Sequence, residues 1–172
     1  LTQVRETLSS IIIMKLIHTR IVHEVWRDEG LNGGRRQSVF SVLQCQHMET
    51  FTAATLTDLG TVAGQILSDL KAFRGETAMV LTLAGELGAG KTAFVQQIGQ
   101  QLGITDTMAS PTFVVMKRYE TTNSVFTKLV HIDAYRLEDE AETIPLHFKE
   151  IFAEPNTLIC IEWASRIPTT IP

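Results

Sequence analysis

The sequence predicts an α/β domain whose mixed sheet contains a β-hairpin, and three observations support this. A short apolar run over residues 78–84 leads into a glycine-rich loop and then into residues with helical periodicity. A second apolar run, over residues 157–161, has the length and composition of a strand buried on both faces. Between the two runs, β-rich segments on either side of a polar turn indicate a hairpin.

The bulk composition is that of one globular domain. The chain has 172 residues, 44% of them hydrophobic, and a formal net charge of −4. This charge argues against holding nucleic acid by a broadly basic surface, so contact with RNA would have to be local or indirect. Cys45 and Cys160 form neither a metal-ligand pair nor a redox motif, which fits a reducing cytoplasm. The apolar run at 11–17 is too short to span a bilayer and does not resemble a signal peptide, so we expect no membrane association.

Charge and periodicity divide the chain near residue 47. Residues 1–47 hold six Lys or Arg and four Asp or Glu, whereas residues 48–172 hold nine and fifteen. The first segment has poor periodicity and ends in a Gly-rich, basic stretch. We expect it to be a poorly structured extension of uncertain status. Residues 48–172 are expected to form the domain.

The first half of this domain is predicted to be helix, strand and helix. Apolar residues recur at helical spacing over 59–70, with Thr55 and Asp58 placed as a variant capping box. The run at 78–84 is the buried strand. Helical spacing returns over 94–102 and is ended by a glycine.

The second half is predicted to hold the hairpin, a short helix and the last strand. The hairpin arms are residues 112–119 and 125–133, joined by a polar turn. An acidic stretch precedes a short helix at 146–152. The strand at 157–161 follows a Pro-Asn turn and ends in Glu162 and Trp163.

The glycine-rich loop matches the phosphate-binding pattern G-x-x-x-x-G-K-[ST] in full, between a strand and a helix as that motif requires. Its glycines allow backbone N–H groups to converge on phosphate oxygens at the start of a helix. Lys91 would reach the terminal phosphates and the Thr92 hydroxyl would ligate Mg²⁺. The loop therefore predicts binding of ATP with Mg²⁺, through Glu86, Leu87, Gly88, Ala89, Gly90, Lys91 and Thr92.

Two acids follow apolar strands, at the sheet edge where α/β proteins bind ligands. Asp133 ends the second hairpin arm and Glu162 ends the last strand. A phosphate site needs a carboxylate for the metal and a group that orients the attacking water, so both are candidate catalytic residues. Glu162 is the predicted metal ligand with Thr92, although spacing does not decide which acid contacts Mg²⁺.

Four further residues allow two interpretations each. His131 is favoured as a strand histidine with a satisfied hydrogen bond. Arg136 is either a phosphate clamp or, as favoured, a partner of the acidic stretch. Trp163 is either a core residue or a cover for the nucleotide. Thr112 either begins a strand or faces the third phosphate as a switch threonine does.

Taken together and in order, these motifs resemble the bacterial TsaE proteins, P-loop ATPase subunits of the tRNA threonylcarbamoyladenosine system. The resemblance runs from about residue 55 to residue 163 and rests on four motifs: Gly85 to Thr92, Ser110 to Phe113, His131 to Leu137, and Ile161 to Trp163.

The resemblance implies a three-layer α/β/α P-loop domain with slow ATP hydrolysis. It implies TsaD and TsaB as partners and an indirect role for tRNA, whose adenosine beside the anticodon receives a threonylcarbamoyl group. It also assigns phosphate and Mg²⁺ binding to Lys91 and Thr92, the acidic roles to Asp133 and Glu162, and a switch-like loop to Thr112. Trp163 would lie beside the active site.

The sequence departs from the family at two loop positions and at its ends. Glu86 stands where Asp is usual, and Ala93 where a second threonine is common; both changes look tolerable. Family members usually begin near the position of Met48, so residues 1–47 have no counterpart. The resemblance therefore implies that they are either an upstream region wrongly joined to the reading frame, which is favoured, or a lineage-specific extension. Family members also continue past the Glu-Trp motif, so we expect a truncated C-terminal end. Two alternatives stay open: a small P-loop metabolite kinase, although no arginine-rich lid is evident, and a non-catalytic nucleotide-dependent binding module.

Overall fold

A computed structural model describes residues 22–25, 39–42, 51, 53, 55–71 and 75–172. Two short strands, β1 (Val22–Val25) and β2 (Val39–Val42), pair antiparallel, with Val22 opposite Val42. The sequence predicted neither strand. Most of the proposed extension 1–47 lies outside the described residues, so its status stays a prediction.

The domain is organised around a four-stranded mixed sheet. Its strands are β3 (Met79–Leu83), β4 (Met116–Glu120), β5 (Lys128–Asp133) and β6 (Thr157–Glu162). They lie in the order β3-β6-β5-β4, with β6 parallel to both neighbours and β4 antiparallel to β5. The predicted mixed sheet with a hairpin is confirmed.

Two α-helices cover one face of the sheet. Helix α1 (Leu56–Lys71) begins with the predicted capping box: the Thr55 N–H donates to Asp58 Oδ2 at 2.9 Å, and the Asp58 N–H donates to Thr55 Oγ1 at 3.1 Å. Its six buried residues are those of the predicted apolar stripe: Leu59, Val62, Ala63, Ile66, Leu67 and Leu70. Helix α2 (Lys91–Gln101) begins inside the glycine-rich loop.

Short helices cover the opposite face, which gives three layers. A 3₁₀ helix (Glu140–Leu146) is capped by Asp139, and α3 (Phe148–Phe152) follows it directly. The single predicted helix at 146–152 is therefore confirmed as the second part of a longer helical segment. Each sheet face has its own apolar cluster, one with α1 and α2 and one with α3. No described helix is long and apolar enough to cross a membrane.

The first hairpin arm is shorter than predicted. Residues 112–115 form a turn, and β4 begins only at Met116. Val115 has a φ of 64°, a conformation that β-branched residues rarely adopt. The turn persists because the Asp133 N–H donates to the Val115 carbonyl at 2.8 Å and the Thr112 hydroxyl bonds to the Asp133 side chain. The sequence pattern reflects the β-rich composition of this segment and gives no sign of these two hydrogen bonds, one from the backbone and one to the side chain of Asp133.

Candidate functional site

The candidate site lies where three parallel strands end. The strand register places Glu162 between Leu83 and Asp133, so the ends of β3, β6 and β5 form one row. Asp133 and Glu162 are each only 3% exposed. The two acids predicted from strand ends therefore lie on adjacent strands, beside the loop that leaves β3.

The glycine-rich loop adopts backbone angles that favour glycine at three positions. Gly85, Gly88 and Gly90 have φ values of 147°, 81° and 86°. A Cβ atom at Gly85 would also lie 3.1 Å from the Ala89 Cβ. Because α2 starts at the next residue after Gly90, the loop presents the N-terminus of a helix, which attracts anions.

Lys91 is buried at the base of the loop. Its Nζ donates to the carbonyls of Gly85 and Glu86, each at 2.8 Å. The same Nζ lies 4.2 Å from the ring centroid of Trp163. Carbonyl oxygens and an aromatic face therefore surround the ammonium group, and it has no acid partner among the ion pairs of the described residues.

Glu162 joins the loop to the sheet. Its Oε1 accepts a hydrogen bond from the Thr92 hydroxyl at 2.8 Å and lies 2.8 Å from His131 Nε2. His131 is fully buried, and its Nδ1 has no partner among the described residues. The expectation of a satisfied strand histidine therefore holds for one ring nitrogen only.

Asp133 has a different set of partners. Its Oδ2 accepts from Ser110 Oγ at 3.0 Å and from Thr112 Oγ1 at 2.5 Å, and its Oδ1 accepts from the Tyr135 N–H at 3.0 Å. Thr112 thus turns toward an acid of the site instead of beginning a strand. The two acids are distinct in their surroundings: Glu162 faces the loop threonine, and Asp133 holds the segment 110–112.

Aromatic side chains border the site. Trp163 is half-buried with a φ of 59°, and its ring lies 5.1 Å from that of Tyr135, centroid to centroid. The Arg136 guanidinium lies 4.2 Å from the ring centroid of Phe113, which is 83% exposed. Among the described residues Arg136 makes no ion pair with the acidic stretch that was its favoured partner.

A cavity of about 540 Å³ lies beside the loop. Its lining includes Leu83 and Glu86 from the loop side and Trp163, Pro168 and Ile171 from the residues after β6. Trp163 therefore borders the same cavity as the start of the loop.

The oxygen atoms of Thr92 and Glu162 suit a cation that also binds a phosphate. The described residues contain no group of three or more His, Cys, Asp or Glu that could hold a metal alone. Thr92 and Glu162 offer a hydroxyl and a carboxylate, which are hard oxygen donors. Mg²⁺ is usually bound by one or two protein oxygens, with phosphates and water completing its shell. These residues fit that pattern.

One buried thiol lies close to the site without a chemical role. Burial, and secondarily the Glu162 carboxylate, raises the pKa of Cys160 well above its ordinary value. The thiol therefore stays protonated and packs as a small apolar group.

Sequence reasoning left two contributions out. It did not give Ser110 a partner, although a Ser-x-Thr spacing offers two hydroxyls to one carboxylate. It also did not connect His131 to Glu162, because that contact depends on β5 and β6 being neighbours.

Comparison with known proteins gives a consistent result. A family model described as "Threonylcarbamoyl adenosine biosynthesis protein TsaE" matches residues 52–172. The TsaE protein of Bacillus subtilis (strain 168) is 41% identical over 93 residues, which cover 54% of this chain and 55% of the relative. That of Nostoc sp. is 37% identical over 115 residues, covering 64% and 63%.

A solved structure agrees with the fold. The crystal structure of Bacillus subtilis YdiB matches with a TM-score of 0.50 and 29% identity, covering 70% of this chain and 67% of that one. The chain spans between about half and two thirds of the length of these curated relatives. Because the family model covers well over half of the chain, and the curated relatives carry the same family name, this chain belongs to the TsaE family of threonylcarbamoyl adenosine biosynthesis proteins.

Proposed function

We propose that this chain binds ATP with Mg²⁺ and hydrolyses it slowly in the cytoplasm, as a subunit that acts with TsaB and TsaD. In that complex it would support threonylcarbamoyl modification of the tRNA adenosine beside the anticodon, without performing the transfer. The observation that carries the proposal is the 2.8 Å bond from the Thr92 hydroxyl, at the start of α2, to Glu162 at the end of β6. The family description supports the role in tRNA modification.

Phosphate binding would use the loop and Lys91. The N–H groups of the loop and of the first turn of α2 would receive the phosphate oxygens. Lys91 Nζ would exchange the Gly85 and Glu86 carbonyls for phosphate oxygens. That exchange is favourable because hydrogen bonds between two charged groups are stronger than those to a neutral carbonyl.

Thr92 and Glu162 would hold the metal. A bound Mg²⁺ supplies neutralisation of the charge that develops on the phosphates. The Thr92 hydroxyl can donate its proton to Glu162 and still offer a lone pair to a cation. Thr92 could therefore bind Mg²⁺ while Glu162 keeps its position.

Asp133 would organise the segment beside the third phosphate. Its carboxylate already binds the hydroxyls of Ser110 and Thr112. A water molecule that attacks the phosphate must be oriented by polar groups near it, and Asp133 and Glu162 are the buried acids that offer such groups in the described part of the chain. Both therefore keep their proposed catalytic roles.

The proposal is tested by measuring phosphate release from ATP with and without the TsaB–TsaD pair. We expect slow release that rises with the partners and is lost in Lys91→Ala and Glu162→Ala. Exposed residues of the same types, in Lys149→Ala and Glu76→Ala, are matched controls and should leave release unchanged.

Three results would overturn the proposal. Release that survives both site substitutions would contradict the site assignment. Transfer of phosphate to an added metabolite, independent of the partners, would favour a kinase. Binding of ATP without any release would favour a non-catalytic module.

A further inference from the structure

We propose that His131 is a positioning residue that fixes the Glu162 carboxylate for the metal-bound nucleotide; this inference rests on the proposed function. His131 lies on β5, next to β6, and its Nε2 is 2.8 Å from Glu162 Oε1. The same Oε1 accepts the Thr92 hydroxyl. One carboxylate oxygen thus receives both donors, one from the loop helix and one from the sheet.

The surroundings of the imidazole determine where it carries its proton. A nitrogen lone pair facing a carboxylate oxygen at 2.8 Å would be repulsive, so Nε2 must be the donor. Nδ1 has no partner among the described residues, and a bare acceptor there is less unfavourable than a bare N–H. The ring is therefore the tautomer with its proton on Nε2, directed at Glu162.

This donor constrains the orientation of the carboxylate. With Oε1 held by two donors, Oε2 is the oxygen left for water or a cation, and no described residue forms a hydrogen bond with it. Without His131, Thr92 would be the only donor among the described residues that restrains rotation of the carboxylate, and Thr92 must also face the metal. Residues that hydrogen-bond to a metal ligand without touching the metal orient that ligand and so affect metal affinity.

A merely structural role explains the position poorly. His131 is fully buried on the sheet face that packs against α1 and α2, where its strand neighbour Leu129 is apolar. An apolar side chain there would avoid burying Nδ1 without a partner. The histidine is therefore explained by its bond to Glu162 and not by packing.

The test uses two substitutions of matched length in the full chain. The amide of His131→Gln can present an N–H near the position of Nε2, whereas His131→Met has similar length and no donor. ATP affinity is measured by calorimetry in Mg²⁺ and in EDTA, together with phosphate release in the presence of the partners and the midpoint of thermal unfolding.

In His131→Met we expect the gain in ATP affinity that Mg²⁺ provides to be ~10- to 100-fold smaller than in the unchanged chain. We expect phosphate release by this variant to be slower by a similar factor, ~10- to 100-fold. Its affinity for ATP in EDTA should match that of the unchanged chain, and His131→Gln should recover most of both losses. Equal Mg²⁺ gains in the unchanged chain and His131→Met, or a loss that glutamine does not recover, would overturn the role of His131.

Failure of the proposed function would look different. In that case the unchanged chain itself would bind no ATP, or would bind it without any gain from Mg²⁺. A His131→Met chain that does not fold is recognised by its unfolding midpoint, and His131→Gln then decides: a Mg²⁺ gain retained in the glutamine variant supports the proposal, and its loss overturns it.

Discussion

The Thr92 hydroxyl donates to Glu162 Oε1 at 2.8 Å, across 70 positions of sequence. This bond links the first turn of the helix that follows the glycine-rich loop to the end of a central strand. Because Glu162 also contacts His131, the loop, β6 and β5 meet at one carboxylate.

Asp133→Asn should slow phosphate release with little loss of ATP affinity. The carboxylate accepts both hydroxyls of Ser110 and Thr112 at one oxygen and the Tyr135 N–H at the other. An amide has only one acceptor oxygen, so asparagine cannot satisfy all three donors, and the segment 110–112 loses its position. Misplaced groups near a reacting phosphate reduce turnover on the order of 10²-fold. Release is measured with the partners and affinity by calorimetry, with the exposed Glu138→Gln as control. An unchanged rate would contradict the role of Asp133.

Trp163 should report nucleotide binding by fluorescence. Its ring faces the Lys91 ammonium at 4.2 Å, and phosphate binding would draw that group away. A Trp26→Phe chain leaves Trp163 as its only tryptophan. We expect a saturable change of emission when ATP is added to this chain, and none in the same background with Lys91→Ala. Calorimetric binding without a change of emission would show that Lys91 stays in place.

The loops show where sequence patterns stop being informative. The capping box at Thr55 and the stripe of α1 are local, so the sequence predicted them correctly. The turn at 112–115 has strand-like composition and is determined by hydrogen bonds to Asp133, which lies 18 positions after Val115 and 21 after Thr112. The composition of a segment gives no information about a hydrogen-bond partner so far along the chain. The first hairpin arm was therefore predicted to be too long.

The order of the strands in the sheet could not be predicted from local sequence patterns either. Periodicity indicated the strands and the acids that end them, but β6 lies between β3 and β5 although it comes last in the chain. That placement brings Glu162 to Thr92 and His131 to Glu162. The candidate acids were thus predictable from strand ends, whereas the histidine became recognisable only once the neighbouring strands were known.

Val115→Gly should be more stable than Val115→Ala. Both variants lose the valine methyl groups that pack against the apolar cluster on the α3 side of the sheet. Glycine also raises the backbone entropy of the unfolded chain, which lowers the free energy of unfolding by about 0.5–1 kcal/mol relative to alanine. This cost is offset, because a φ of 64° disfavours a residue with a Cβ atom by roughly 1–2 kcal/mol. Urea unfolding of the two variants compares them directly, and a less stable glycine variant would contradict the left-handed conformation.

Stability should depend on pH through Glu154. Burial would raise the pKa of this carboxyl, but hydrogen bonds from Lys128 and Arg118 outweigh it and lower the pKa below its usual range. The ionised form therefore stabilises the folded chain above the usual carboxyl pKa. This contribution, less than about 1 kcal/mol because both partners are well exposed, is lost as pH falls through the lowered pKa.

Glu154→Gln tests this dependence. The variant should be less stable than the unchanged chain at pH 7, and the difference should shrink toward zero as the pH is lowered below the usual carboxyl pKa. Urea unfolding at a series of pH values measures it. A difference that stays constant with pH would mean that the ion pairs contribute nothing to stability.

The most direct test of the account is ATP binding to Thr92→Val, measured by calorimetry in Mg²⁺ and in EDTA, with Thr92→Ser as the matched control. The account predicts that Mg²⁺ strengthens binding to the unchanged chain and to the serine variant, which keeps the hydroxyl, and gives no gain with valine. It also predicts that valine leaves binding in EDTA unaltered. An equal gain from Mg²⁺ with valine would contradict the claim that Thr92 and Glu162 form the metal side of a nucleotide site.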